Sequence, residues 1–167
     1  MEPLVVKAAE THIYSINRDG NKFNLVSYLR PDHVMKHGIP QEGVIGALPA
    51  SVTDILDASF RANPAFVKLL HGVIAEYGPQ MPGLQETVRQ TSSGFVQVVD
   101  GRAPEPRSEA EQEDILGEFE VKDGRVVEGS YTANPGHQVV GRRGLLILDP
   151  WLHERLMERL NGLVSKG

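Results

Sequence analysis

The chain has 167 residues, a formal net charge of −5 and no cysteine. Apolar residues make up 40% of it and charged residues 23%, which is typical of a globular domain and unlike the composition of disordered chains. The missing cysteines exclude disulfides, thiolate zinc sites and cysteine nucleophiles, and they fit a reducing compartment such as the cytoplasm.

The chain carries no signal for a membrane or for nucleic acid. No run approaches the roughly 20 consecutive apolar residues of a membrane span, and the opening MEPLVVKAAETH lacks the basic and apolar regions of an export signal. Only Arg142 and Arg143 are adjacent cations, whereas phosphate-backbone binding needs clustered positive charge. We therefore predict a cytoplasmic protein with one domain, residues 1–167, and with neither a membrane nor a nucleic acid as partner.

The first predicted element is a β-hairpin. Two β-prone runs in HIYSINRDGNKFNLVSYLR flank Asp19-Gly20, a pair that favours the positive φ angles of tight turns. The next stretch, RPDHVMKHGIP, predicts a short helix from Pro31 to His37. A proline suits its first turn, Gly38 suits a C-terminal cap, and the second proline blocks continuation.

Three further helices are predicted in the centre of the chain. SVTDILDASFRAN predicts the first, with Ser51 as N-cap and its apolar residues on one face. The second has Asn63 as its cap, Pro64 at its first position and apolar residues at helical spacing as far as Tyr77. PGLQETVRQTSS predicts a third, with a narrow apolar face.

The pattern then changes to the period of two that is typical of strands. GFVQVVDG predicts one strand, and ILGEFEVKDGRVVEGSY predicts a hairpin that turns at Asp123-Gly124, with Glu118, Glu120 and Lys122 facing water. Short strands are expected on both sides of GRRG. A final helix begins at Asp149-Pro150 and buries its leucines.

This order of elements predicts an α+β fold. We expect an antiparallel sheet of about five to six strands, built from the N-terminal hairpin and a C-terminal meander, packed against the central helical segment and the C-terminal helix. The Pro- and Glu-rich stretch between two strands predicts a mobile, solvated acidic loop at 101–113. An open sheet leaves edges to cover, so the fold is compatible with a homodimer or another homo-oligomer.

Histidines provide the first candidate site. His33 and His37 are four residues apart, so one helix face would carry both imidazoles and they could share a divalent metal. A third ligand would have to come from elsewhere, with Asp32, His71 and His137 as candidates. The competing interpretation is structural, because a polar side chain before Gly38 commonly satisfies the last carbonyls of a helix.

Two other histidines are placed by their helical wheels. His71 falls at the border between the buried and wet faces of its helix, where we expect a half-buried, hydrogen-bonded ring. His153 lies in the first turn of the last helix, on the side of its leucines. We predict a neutral ring with a lowered pKa.

Two polar groups of residues near the C-terminus are candidates for binding a ligand or an anion. EGSYTANPGHQ gathers Ser130, Tyr131, Asn134 and His137 around one turn, which suits a small polar site but is also explained by turn chemistry. In GRRG, Arg142 and Arg143 stand between glycines, where they could close on a carboxylate or phosphate or simply form a solvated turn.

No catalytic signature combines these residues. No phosphate-binding glycine motif and no nucleophile elbow occurs. Our leading hypothesis is therefore a non-enzymatic cytoplasmic module that binds a small molecule or a protein. The alternative is a metal-dependent hydrolase in which His33 and His37, with His71 or His137, hold a divalent ion that activates water. Whether the protein is an enzyme stays open at this point.

Overall fold

A computed structural model describes residues 9–163 of the chain. The expectation that the chain opens without an export signal concerns residues that lie largely outside this range. None of the helices within it is long and apolar enough to cross a membrane.

The N-terminal strands form a four-stranded antiparallel sheet. Its order is β1 (His12–Arg18), β2 (Asn21–Ser27), β3 (Val44–Pro49) and β4 (Arg61–Ala62). The predicted hairpin of β1 and β2 is confirmed. Its turn residues Asp19 and Gly20 have φ angles of 54° and 83°, as a type I′ turn requires.

The C-terminal strands form a second four-stranded sheet and a separate two-stranded one. In the larger of these sheets β6 (Ile115–Lys122) pairs with β5 (Ser93–Val99) on one side, and with β7 (Arg125–Val126) and β8 (Thr132–Ala133) on the other. β9 (Val140–Gly141) and β10 (Gly144–Leu145) pair around the GRRG turn. The strands are thus divided among separate sheets.

Four α-helices accompany the sheets: α1 (Pro31–His37), α2 (Pro64–Tyr77), α3 (Pro82–Gln90) and α4 (Pro150–Gly162). All four were predicted. The Asn63 side chain accepts a hydrogen bond from the Ala65 N–H at the start of α2, and Asp149 does the same for α4. These caps satisfy amide groups that would otherwise lack a partner at a helix N-terminus.

The prediction of a helix at SVTDILDASFRAN is wrong, because residues 51–60 form a series of turns. Asp54 accepts a hydrogen bond from the Leu56 N–H, and Asp57 accepts one from the Ser59 N–H, each at 2.9 Å. Aspartates compete with helix formation through such local bonds. The segment ends in β4, whose Ala62 pairs with Gly46 of β3.

One hydrophobic core joins the helices to both larger sheets. Val26 of the N-terminal sheet and Phe119 of the second sheet belong to the same buried cluster as Phe66 of α2 and Leu156 of α4. The α+β fold class, the N-terminal hairpin and the C-terminal helix are therefore confirmed. Among the α-helices of residues 9–163, only the start of α2, at Pro64, and the end of α4, at Leu163 just beyond its last turn, line the groove on the outer face of the N-terminal sheet.

Candidate functional site

Arg102 lies in the interior, although the sequence predicted a solvated loop at 101–113. Its side chain is only 1% exposed. The guanidinium has five N–H donors. Nε donates to Asp114 Oδ1 at 2.8 Å, and the other donors reach the backbone carbonyls of Glu113, Gln138, Val139 and Gly144. Every donor is used within the protein, so none remains for a ligand.

Asp100 and His137 complete this buried ionic cluster. Asp100 Oδ1 accepts hydrogen bonds from the backbone N–H groups of Arg102 and Ile147, at 3.1 Å and 2.7 Å. Its Oδ2 lies 3.0 Å from Nε2 of His137, whose side chain is 2% exposed. The sequence showed no acid beside His137, because the partner is 37 residues away. The pair is enclosed, and its contacts position the β9 region.

The two arginines of GRRG face carboxylates of the protein itself. Arg143 Nη1 lies 2.9 Å from Asp114 Oδ2 and 3.4 Å from Glu111 Oε2. Arg142 pairs with Glu111 and, at 3.5 Å, with Glu113. Hydrogen bonds from both guanidiniums, chiefly that of Arg143, hold the pKa of Glu111 below its ordinary value. An external anion would have to displace these carboxylates.

The candidate residues of EGSYTANPGHQ form hydrogen bonds with separate segments of the protein. Ser130 Oγ accepts the N–H of Glu120 at 3.0 Å. The Asn134 amide donates to the carbonyls of Gln112 and Ile115, both at 2.8 Å. Tyr131 turns the other way, towards α2. Ser130, Tyr131 and Asn134 thus each bond a different part of the protein.

His71 is half-buried and hydrogen-bonded, as its helical wheel predicted. Its Nδ1 lies 2.7 Å from Oη of Tyr131. Burial lowers the pKa of His71, and the neighbouring His137 ring lowers it further. The lowered pKa predicted for His153 is also confirmed, but burial is its main cause. The His153 ring packs edge-on against Tyr28, with 5.0 Å between centroids.

These two rings predict a loss of stability in acid. The pKa of each is lowered in the folded protein, whereas a histidine of the unfolded chain titrates at about pH 6.5, so the unfolded state binds more protons around that pH. We expect the free energy of unfolding to fall as the pH drops from about 7.5 to 5.5. Urea titrations should show a smaller fall in the His71→Gln, His153→Gln double variant. An equal fall in the double variant would assign the effect to other groups.

His33 and His37 project from one face of α1, as predicted. Their ring centroids are 4.8 Å apart, and Nε2 of His33 is buried without a hydrogen-bond partner in the described chain. Within residues 9–163 no group of three or more His, Asp or Glu side chains is arranged to hold a metal ion. α1 itself buries none of its residues.

A groove of about 1120 Å³ runs along the outer face of the N-terminal sheet. We call it the sheet groove. The register explains its floor, because Ile16 pairs with Phe23, and Leu25 lies two residues further along the same face of β2. The chief apolar side chains that line it are Ile16, Phe23, Leu25, Ile39, Val44 and Leu163. Ile16, Phe23 and Leu25 are only half-buried.

Charged side chains stand among these apolar ones. Arg18, Arg61 and Glu42 line the sheet groove. The Arg61 guanidinium is held by bonds to the carbonyls of Ala58 and Phe60, both at 3.1 Å. Neither arginine forms an ion pair with a carboxylate of the described residues. Among the described residues, the groove therefore combines an apolar floor with two arginines and one glutamate.

Sequence reasoning missed both the ionic cluster and the sheet groove. The cluster gave little signal, since its members are far apart in the chain. The groove did leave a signal in the sequence. Phe23 and Leu25 alternate with Asn24 and Val26, so β2 carries apolar residues on both faces. Because Asn24 and Val26 are buried, Phe23 and Leu25 lie on the opposite face of the sheet, where they form a second apolar surface that is suited to binding a partner.

Comparison of the chain with protein-family models, curated proteins and solved structures gave no match.

Proposed function

We propose that this protein is a non-enzymatic binding module that holds a segment of a partner protein in the sheet groove. The observation that carries the proposal is the apolar outer face of β1 and β2, where Ile16, Phe23 and Leu25 are half-buried and belong to no part of the main core. Clustered apolar surface of this kind commonly marks an interaction site.

The size and shape of the groove favour a protein segment over a small molecule. Its volume of about 1120 Å³ exceeds the roughly 300–1,000 Å³ of typical small-molecule pockets. It follows a sheet face, and the side chains along a strand stand at regular intervals there. An extended or helical segment can place successive apolar side chains on such a floor.

The charges define the partner further. Arg18 and Arg61 outnumber Glu42, the one acid among the groove's lining residues within the described chain. The protein as a whole is negatively charged, so this local excess of positive charge is selective for an acidic group. The expected partner segment therefore combines apolar residues with at least one carboxylate.

Peptide selection tests this proposal. A displayed library of random peptides is selected against the wild-type protein, and affinities of the enriched peptides are measured by isothermal titration calorimetry. We expect enrichment of apolar residues together with Asp or Glu. The Leu25→Ser variant should bind the leading peptide at least about tenfold more weakly, since burying one leucine contributes roughly 1.5–3 kcal/mol.

Two further variants make the result specific to the groove. Arg61→Glu should weaken peptides that contain an acid, and the loss should be smaller at high salt, where surface charges are screened. Phe95→Ser removes an exposed aromatic ring from the other large sheet and should leave the affinity unchanged. Binding that tolerates Leu25→Ser and Arg61→Glu, or that fails with Phe95→Ser, would place the site elsewhere.

A further inference from the structure

We propose that a second copy of this chain pairs with the free edge of β1, so that two N-terminal sheets join into one continuous sheet across a two-fold axis. This inference goes beyond the proposed binding function. It follows from the exposure, the backbone geometry and the sequence of β1.

β1 is an open edge. Among the described strands it pairs with β2 alone, and β2 is also the only described element with which it makes extensive contact. No residue of β1 is fully buried, and Ile13 is 38% exposed. The edge of β5 differs, because α3 and the segment before α4 border it. No described residue therefore covers the outer backbone groups of β1 as a paired strand.

β1 also lacks the features by which proteins protect such edges. Monomeric proteins commonly place Lys, Pro, an inward-pointing charge or a bulge on an edge strand to prevent pairing. From Ile13 to Asn17 the strand has no charged residue and no proline. Its register against β2 has no irregularity over its full length. A regular, uncharged edge of this length is suited to pairing with another strand.

The hairpin geometry determines which backbone groups point outward. In a hairpin with a two-residue turn, the pair that closes the turn is hydrogen-bonded, and bonded pairs then alternate with non-bonded ones. Arg18 closes the turn opposite Asn21. Hydrogen bonding to β2 therefore recurs at every second residue from Arg18, and the N–H and C=O groups of Ile13, Ser15 and Asn17 face away from β2.

These outward groups are self-complementary. If two β1 strands run antiparallel with Ser15 on the two-fold axis, each Ser15 faces the Ser15 of the other copy, and Ile13 faces Asn17. Each outward N–H then meets an outward C=O. A slip by one residue would turn the apolar side chains to the opposite face. A slip by two residues would keep both the bonds and the faces, but it would pair fewer residues of β1. The centred register is the one that pairs all of His12–Arg18.

This pairing would also extend the sheet groove. Tyr14 and Ile16 lie on the same face of β1 as the groove floor, because they pair with Leu25 and Phe23. In the dimer, Tyr14 of one copy would stand beside Ile16 of the other. The apolar floors of both copies would then form one surface, which gives the pairing a hydrophobic contribution besides its hydrogen bonds.

A charge-swap experiment tests the register. Because Ser15 faces itself across the axis, Ser15→Lys places two cations opposite each other, and Ser15→Glu places two anions opposite each other, and like charges in such pairs are destabilising. Sedimentation velocity at matched concentrations should give a dimer for the wild type and monomers for each variant. An equimolar mixture of the two variants should again sediment as a dimer, since Lys then faces Glu.

The controls separate pairing from folding. Ser93→Lys makes the same change on an edge strand of the second sheet, β5, and should stay dimeric. Circular dichroism melting should show that both Ser15 variants are folded, and both should retain affinity for groove-selected peptides. A monomeric wild type, a dimeric Ser15→Lys variant, or a mixture that stays monomeric would each overturn the proposal. Loss of peptide binding alone would instead count against the proposed function.

Discussion

Replacing Arg102 with methionine should lower the free energy of unfolding by about 3–5 kcal/mol, the range observed when one partner of a buried ion pair is removed. Methionine fills much of the space of the arginine stem, so the loss of stability comes from the buried polar groups that no longer have the guanidinium as a partner. Asp114 loses its 2.8 Å bond, and the carbonyls of Gln138 and Gly144 lose the donors that Arg102 supplies. Urea unfolding followed by the fluorescence of the single tryptophan, Trp151, measures the change.

Arg107→Met in the same loop is the matched control. Its side chain is 44% exposed, and its partner Glu105 is more exposed still, so the expected change is below about 1 kcal/mol. Arg102→Lys keeps the charge but has fewer N–H donors, and its stability should fall between those of the other two proteins. If Arg102→Met were as stable as Arg107→Met, the cluster would not be holding the β9 region in place.

Replacing Gly46 with alanine should lower the free energy of unfolding by about 1–3 kcal/mol, the usual cost of overfilling a packed core. A Cβ atom at this position would lie 2.6 Å from the carbonyl oxygen of Arg61 and would overlap the ring of Phe60. The carbonyl belongs to β4 and cannot withdraw without disturbing its pairing with β3. The same urea experiment measures the effect.

Gly72→Ala is the control for this substitution. Gly72 lies within α2, and nothing lies within 4 Å of the position that its Cβ would occupy. Alanine in a helix interior is more stable than glycine by roughly 0.5–1 kcal/mol. The two glycine substitutions should therefore change stability in opposite directions. A stabilised Gly46→Ala protein would contradict the close packing of Phe60 on β3.

The fold was predictable wherever local signals agreed with one another. α2 and α4 each combine a side-chain cap, a proline in the first turn and an apolar face, so several independent terms favour the same helix. The β1–β2 hairpin was predictable because Asp19-Gly20 specifies the turn and so fixes the register. In these elements the information lies within a few residues of the structure that it determines.

Prediction from the sequence failed where contacts between residues far apart in the chain determine the local structure. Residues 51–60 have a helical pattern of apolar residues, but Phe60 packs against β3 and Asp54 and Asp57 cap local turns. The partners of Arg102 come from segments that lie up to 42 residues away. Such a cluster leaves no periodicity in the sequence. An isolated arginine within a Pro- and Glu-rich stretch is predicted to be exposed to solvent unless its partners elsewhere in the chain are known.

The loop at 101–113 is fastened at both ends, since Arg102 at its start binds Asp114 just beyond its end. Residues 104–109 between them are exposed. We therefore expect the fold to tolerate a longer chain here, since the entropic cost of closing a longer loop rises only slowly. A fluorescent reporter domain inserted between residues 104 and 109 should therefore leave the protein folded and both termini unblocked.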